Sequence, residues 1–108
     1  MKLLVVDDDV HIRRIAALYL REHDVAEAAT AEEALARIAG ETFDAVVVDV
    51  ILPQFGGLRL CRRIKERAAP PRVIVMSGDE QLRDEARAAG ADAFLAKPFT
   101  RDALLASL

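Results

Sequence analysis

The chain has 108 residues, 53% of them hydrophobic and 31% charged, a balance that fits one globular domain and excludes a disordered tail. Fifteen Lys and Arg against 18 Asp and Glu leave a net charge of −3, which argues against direct nucleic-acid binding, and the lone Cys61 excludes a disulfide framework or a cysteine-rich zinc site. Apolar runs fall far short of the ~18 residues of a membrane span or the ~7–15 of a secretory signal, so the expectation is a cytoplasmic protein with no membrane partner.

In chain order, Leu3-Leu4-Val5-Val6 reads as a strand and runs into Asp7-Asp8-Asp9. Asp9 is placed to cap a helix in which Ile12, Ile15, Ala16 and Tyr19 form the apolar stripe, with Arg13, Arg14 and Arg21 off it. A weaker strand, Asp24 to Ala29, has the polar content of a sheet edge. Thr30-Ala31-Glu32-Glu33 is a capping box that opens a second helix, and Gly40 stops it. Ala45 to Val48 is a third strand ending in Asp49. The third helix reads Leu58 to Ala68, with Leu58, Cys61 and Ile64 on one face and Pro70-Pro71 barring its continuation. Val73 to Met76 is a strand leading to Ser77-Gly78-Asp79, and a helix from Glu80 to Ala89 ends at Gly90. Ala93 to Ala96 leads to Lys97-Pro98, and Thr100 caps a final helix of about two turns. The chain stops while Leu104, Leu105 and Leu108 still look helical, so residues 1–108 read as a single domain trimmed at its C-terminus.

The β-α unit therefore repeats five times, and near-continuous apolar strands imply parallel strands covered on both faces. Right-handed crossovers then give an α/β fold, a doubly wound sheet. In such sheets the chemistry lies beyond the carboxyl ends of the strands. Those ends bring Asp7, Asp8, Asp49, Ser77 and Lys97 to one rim. Three acids and one ammonium sum to −2, and like charges ~4–6 Å apart repel by about 1–4 kcal/mol per pair. A hard divalent cation, Mg²⁺ or Mn²⁺, balances an all-oxygen set of this kind. With a cation present, one carboxylate becomes a candidate nucleophile toward a phosphoryl group. Lys97 would supply charge to its oxygens, Ser77 a hydroxyl and Gly78 a backbone N–H.

Together these residues resemble the receiver domain of two-component response regulators. The resemblance runs through Leu-Val-Val-Asp-Asp-Asp at 4–9, Ala-Ala-Thr-Ala-Glu-Glu-Ala-Leu at 28–35, Val-Val-Val-Asp-Val-Ile-Leu-Pro at 46–53, Gly56-Gly57, Met76-Ser77-Gly78 and Gly-Ala-Asp-Ala-Phe-Leu-Ala-Lys-Pro-Phe at 90–99. It implies a five-stranded, flavodoxin-like sheet of order 2-1-3-4-5. It makes Asp49 the phosphoacceptor, charged by a sensor histidine kinase or phosphotransfer protein. Asp7 and Asp8 match the acidic metal pair, and Ile51 would lend its backbone carbonyl to the same ion. Ser77 and Lys97 match the groups that hold the phosphoryl oxygens, with Lys97-Pro98 a cis bond. Ser77 and Phe94 match the switch pair that reshapes the face of the fourth helix, fifth strand and last helix, a face through which homodimers can form. Ile51 and Asp79 fall where the family tunes phosphoryl lifetime, and our expectation is that the Asp79 carboxylate meets the hydrolytic water. The implied domain is a switch that catalyses only its own phosphorylation and dephosphorylation. Gly56 departs from the polar residue frequent at its position.

Two other readings compete. Asp7-x-Asp9 after an apolar strand is similar to the opening motif of haloacid-dehalogenase phosphatases. His11 stands where Thr or Val is expected there, the chain has no room for a cap domain, and the lysine follows a second strand-end aspartate. A pseudo-receiver that takes no phosphate would serve as an interaction module, although every residue the chemistry requires is present. The basic residues Arg59, Arg62, Arg63, Lys65 and Arg67 read as a solvated helix face, His11 and His23 as exposed, and Cys61 as a small core filler.

Overall fold

Runs of β-branched and aliphatic residues become parallel strands in the computed structural model, which describes residues 1–108, and the amphipathic stretches between them become helices. The elements are β1 (Lys2–Val6), α1 (Val10–Tyr19), β2 (Asp24–Ala28), α2 (Ala31–Gly40), β3 (Ala45–Asp49), α3 (Gly57–Lys65), β4 (Arg72–Ser77), α4 (Arg83–Ala88), β5 (Ala93–Ala96) and α5 (Arg101–Ser107). All neighbouring strands pair in parallel, in the order β2-β1-β3-β4-β5, as anticipated.

Residues of alternate parity face opposite layers, and each layer has its own core. Leu4, Val6, Val46, Val48, Val73 and Val75 pack against α2, α3 and α4 through Ala34, Ile38, Leu60, Cys61, Ile64 and Ala86. Leu3, Val5, Val47, Ile74 and Met76 pack against α1 and α5 through Ala16, Leu20 and Leu104. Central strands covered on both sides need unbroken apolar sequence, whereas edge strand β2 accommodates Asp24 and Glu27. The folded surface of 5812 Å² is close to the roughly 5,900 Å² that scaling gives for a chain of this mass.

Local signals hold where they are local. Asp9 caps α1 through the N–H of His11, Thr30 caps α2 through that of Glu33, and Thr100 caps α5 through that of Ala103. Gly90 adopts a φ of +97°, the left-handed geometry that ends a helix, and Lys97-Pro98 is cis.

Several boundaries and faces differ from expectation. The stripe of α1 is rotated: Ala16 is buried as expected, but Ile15 is 42% exposed and Leu20 is buried in its place. Turning the helix this way leaves the Arg13 side chain only 15% exposed, with its guanidinium on Glu27 and the Asp7 carbonyl. Helix α3 ends at Lys65, three residues early, because Ala69 takes a φ of +51° and the chain turns before the two prolines. Lys65 is no solvated charge; its Nζ donates to the Pro71 carbonyl at 3.1 Å and to Asp92 Oδ2 at 2.8 Å. Residues Glu80–Leu82 form a 3₁₀ turn ahead of α4, since Asp79 accepts from the Gln81 N–H and closes a tighter turn. His11 is exposed as expected, but His23 is half-buried, with Nδ1 3.3 Å from the N-terminal nitrogen.

Candidate functional site

The carboxyl ends of β1 and β3 are adjacent because the two strands pair in register, Val6 opposite Val48. The next residues, Asp7 and Asp49, therefore emerge side by side although far apart in sequence. Both are buried, whereas Asp8 is exposed. One carboxylate oxygen from each of Asp7, Asp8 and Asp49 lies within 4.8 Å of the others. Acids that close are stable only with positive charge between them.

Lys97 supplies part of that charge. It follows β5 and crosses β4 to reach the cluster, its own N–H donating to the Ser77 carbonyl at 2.9 Å. Its Nζ lies 3.0 Å from Asp7 Oδ2 and 3.0 Å from Asp49 Oδ2. Burial by itself would lower the lysine's pKa, but the hydrogen bonds to Asp7 and Asp49 outweigh it and hold the pKa above the ordinary value. For Asp49, burial is the largest influence and raises the pKa. The charge of Asp7 adds to the rise, Lys97 and the Ile51 N–H oppose it, and the net shift is upward. The ammonium thus persists as a fixed cation beside a carboxylate whose own charge is costly.

The donor set suits a hard cation. Three carboxylates supply hard oxygens, no soft ligand is within the cluster, and two negative charges stay unbalanced after Lys97. The Ile51 N–H donates to Asp49 Oδ1 at 3.2 Å, while the Ile51 side chain projects into solvent at 73% exposure. Only its main chain is engaged at the acidic pocket.

The remaining predicted residues lie on the adjoining strands. Ser77 is buried at the end of β4, and its Oγ accepts from the Asp79 N–H at 3.0 Å. Gly78 follows it in the open, where an added Cβ would meet nothing within 4 Å, so crowding does not demand glycine there. Asp79 is exposed, and its Oδ1 is occupied by the Gln81 N–H at 2.9 Å. Phe94 stands opposite Val75 in register and packs on the α2-α3-α4 layer, the layer that Val73 and Val75 of β4 also face. The Arg83 guanidinium covers the Phe94 ring, 4.6 Å from its centroid.

Two contributors escape a reading of the sequence. Gly57 is demanded by crowding: a Cβ there would overlap the Asp49 carbonyl oxygen and lie 2.7 Å from Val50 Cα. The adjacent Gly56, with a φ of +88°, supplies the turn that brings α3 so close. The paired glycines at 56–57 are the signal, although spacing alone does not say which backbone they approach. The second is Arg13, which has no sequence signal to separate it from its neighbour Arg14.

The sequence matches the response regulator receiver domain over residues 3–108. Among characterised relatives, it is 35% identical to Protein PilG of Pseudomonas aeruginosa over 114 aligned residues, covering 100% of this chain and 84% of that protein. It is also 35% identical over 102 residues to the transcriptional regulatory protein ResD of Bacillus subtilis, covering 92% of this chain but only 42% of ResD. In three dimensions it resembles the receiver domain of NtrX from Brucella abortus, with a TM-score of 0.89 and 34% identity over 96% of this chain and 92% of that one. No helix is long and apolar enough to cross a membrane. With a five-stranded 2-1-3-4-5 sheet, an acidic pocket at its carboxyl edge and a lysine bridging two of its acids, this chain belongs to the response regulator receiver domains, the signalling switch modules of two-component systems.

Proposed function

We propose that Asp49 accepts a phosphoryl group from the phosphohistidine of a sensor histidine kinase or phosphotransfer protein, in a reaction that requires Mg²⁺ or Mn²⁺. The observation that supports this most is the bridging ammonium of Lys97, 3.0 Å from each of two acids that would otherwise repel. A carboxylate oxygen of Asp49 bonds to phosphorus as the phosphorus–nitrogen bond of the donor breaks, and the imidazole leaves with the electron pair and takes up a proton. Lys97 meets the charge of one phosphoryl oxygen, and the Ser77 hydroxyl and Gly78 N–H donate to the others. Asp7, Asp8, Asp49 and the carbonyl of Ile51 would hold the cation, which supplies further positive charge against the phosphoryl oxygens. The domain acts on nothing but its own acceptor, and Ile51 and Asp79 govern how long the phosphoryl group survives.

The signal leaves through α4, β5 and α5. A phosphoryl group adds three acceptor oxygens and carries about −1.5 to −2 of charge. Drawing the Ser77 hydroxyl toward it breaks the bond to the Asp79 N–H, and Phe94 then turns inward, away from Arg83. The change is a population shift biased by those differential contacts. The reshaped face is where a second copy would dock.

Incubation with acetyl phosphate and Mg²⁺, read by intact mass, tests the proposal. Wild type should gain one phosphoryl group that hydroxylamine removes, and Asp49→Asn or omission of the cation should abolish the gain. A wild-type chain that gains no mass would establish a phosphate-independent module in its place. Turnover of phosphate esters with no adduct would favour a phosphatase.

A further inference from the structure

We propose that Arg13 is a positioning residue for the acidic pocket: its guanidinium fixes the peptide that joins Asp7 to Asp8 and so aims the Asp8 carboxylate. This role rests on the reading of Asp7, Asp8 and Asp49 as a cation site.

Three of the four polar contacts of Asp7 come from elsewhere. Its N–H donates to the Ala28 carbonyl of β2 at 3.1 Å, its Oδ1 accepts from the Asp9 N–H at 2.9 Å, and its Oδ2 faces Lys97 at 3.0 Å. Its carbonyl lies just past the end of β1, where the ladder stops, and no backbone N–H reaches it. Arg13 Nη1 donates to that carbonyl at 2.8 Å. Asp8, by contrast, makes no side-chain hydrogen bond and is exposed, so the backbone on which it stands is what fixes where its side chain starts and which rotamers reach the pocket. Because a peptide unit is planar, holding the Asp7 carbonyl also sets the Asp8 N–H and Cα. The guanidinium therefore acts on Asp8 through one rigid plane.

The guanidinium is itself held. Arg13 Nε donates to Glu27 Oε1 at 3.0 Å, and the Arg13 side chain is only 15% exposed. Glu27 stands opposite Val5 in the β1–β2 register, two residues before Asp7, so the support comes from the sheet edge next to the pocket. The geometry calls for arginine: Nε and Nη1 lie in one plane and donate in two fixed directions, whereas a lysine is a point charge that satisfies one acceptor at a time. Arg14 is no substitute, since it is exposed and approaches Glu27 only to 4.0 Å. A purely structural tie between α1 and β2 is the competing role, and it differs in what it leaves unchanged.

Titration with Mg²⁺, followed by backbone amide NMR shifts around residues 8 and 49, separates the two. Outer-shell partners are typically worth roughly 10–100-fold in metal affinity, and for a group acting through one peptide we expect Arg13→Gln to weaken Mg²⁺ binding about tenfold. Arg13→Lys should lie between wild type and Arg13→Gln, and Glu27→Gln, which keeps the arginine and guards against misfolding of the first variant, should show a smaller loss in the same direction. In acetyl phosphate reactions the apparent Mg²⁺ requirement should rise while the rate at saturating Mg²⁺ recovers. Wild-type Mg²⁺ affinity in folded Arg13→Gln, with urea stability alone reduced, overturns this role and leaves the cation reading intact. A wild-type protein that does not titrate, or an Asp8→Asn variant that titrates like wild type, overturns the cation reading and this role with it.

Discussion

Replacing Lys97 by Met removes the one positive charge from a pocket of three acids. The ammonium is 3.0 Å from each of Asp7 and Asp49, so each contact carries roughly 5 kcal/mol of Coulomb attraction at an effective dielectric of about 20, before desolvation is subtracted. Removing one member of a buried pair typically costs about 3–5 kcal/mol, because the remaining charge is left uncompensated. The Lys97 side chain is 20% exposed, so water can screen part of the loss, and about 3 kcal/mol at neutral pH is the expected deficit. At a urea dependence of about 1.5 kcal/mol per M, the unfolding midpoint falls by about 2 M. The deficit should also depend on pH. Burial, and then the charge of Asp7, already hold Asp49 above its ordinary pKa while Lys97 opposes them, so the upward shift grows in the variant. An acid whose pKa is raised by folding binds its proton more tightly in the folded state, so stability falls as pH rises from the unfolded to the folded pKa. The loss is therefore largest at neutral pH and shrinks on acidification toward the ordinary aspartate range. Added Mg²⁺ should narrow it as well. Urea unfolding of both proteins at several pH values checks this. A midpoint within about 0.5 M of wild type at neutral pH, or a deficit that does not shrink on acidification, would refute the electrostatic account.

Four other substitutions or treatments probe further contacts. Gly57→Ala should cost about 3 kcal/mol or more in urea unfolding, since the new Cβ meets the backbone of Asp49 and Val50, which cannot yield. Gly40→Ala, facing open space, should gain about 0.5–1 kcal/mol, and equal behaviour of the two would contradict the crowding. Cys61 is buried and its thiol is pushed up to about 11 by desolvation, so Ellman's reagent should leave it untouched in the native protein at neutral pH and modify it fully in urea. Arg83→Ala removes a cation–π contact worth about 0.5–1 kcal/mol, so if Phe94 also takes the inward orientation proposed above, that orientation should become about two- to fivefold more populated, read by NMR of the ring. An unchanged ring spectrum would count against any restraint by Arg83.

The amino-acid order alone settled the alternation of strands and helices, the caps at Asp9, Thr30 and Thr100, the stop at Gly90 and the set of strand-end residues that form the pocket. Each of those signals is local: a period of two or 3.6 residues, an oxygen within reach of an N–H two or three positions on, a residue free to take positive φ. Folding decided the rest. Which way α1 turns about its axis, exposing Ile15 and drawing Arg13 beneath the acidic loop, depends on Glu27 and on the Asp7 carbonyl, neither of which a helix-period count can see. Arg13 and Arg14 are chemically identical neighbours, and only three-dimensional placement brings one to 3.0 Å from Glu27 and leaves the other exposed, 4.0 Å from the same carboxylate. The same holds for Gly57 against the Asp49 backbone and for Lys65 with Asp92, 27 positions away. Side-chain chemistry is written residue by residue, but a distance between two residues exists only once the sheet has set the register between their strands.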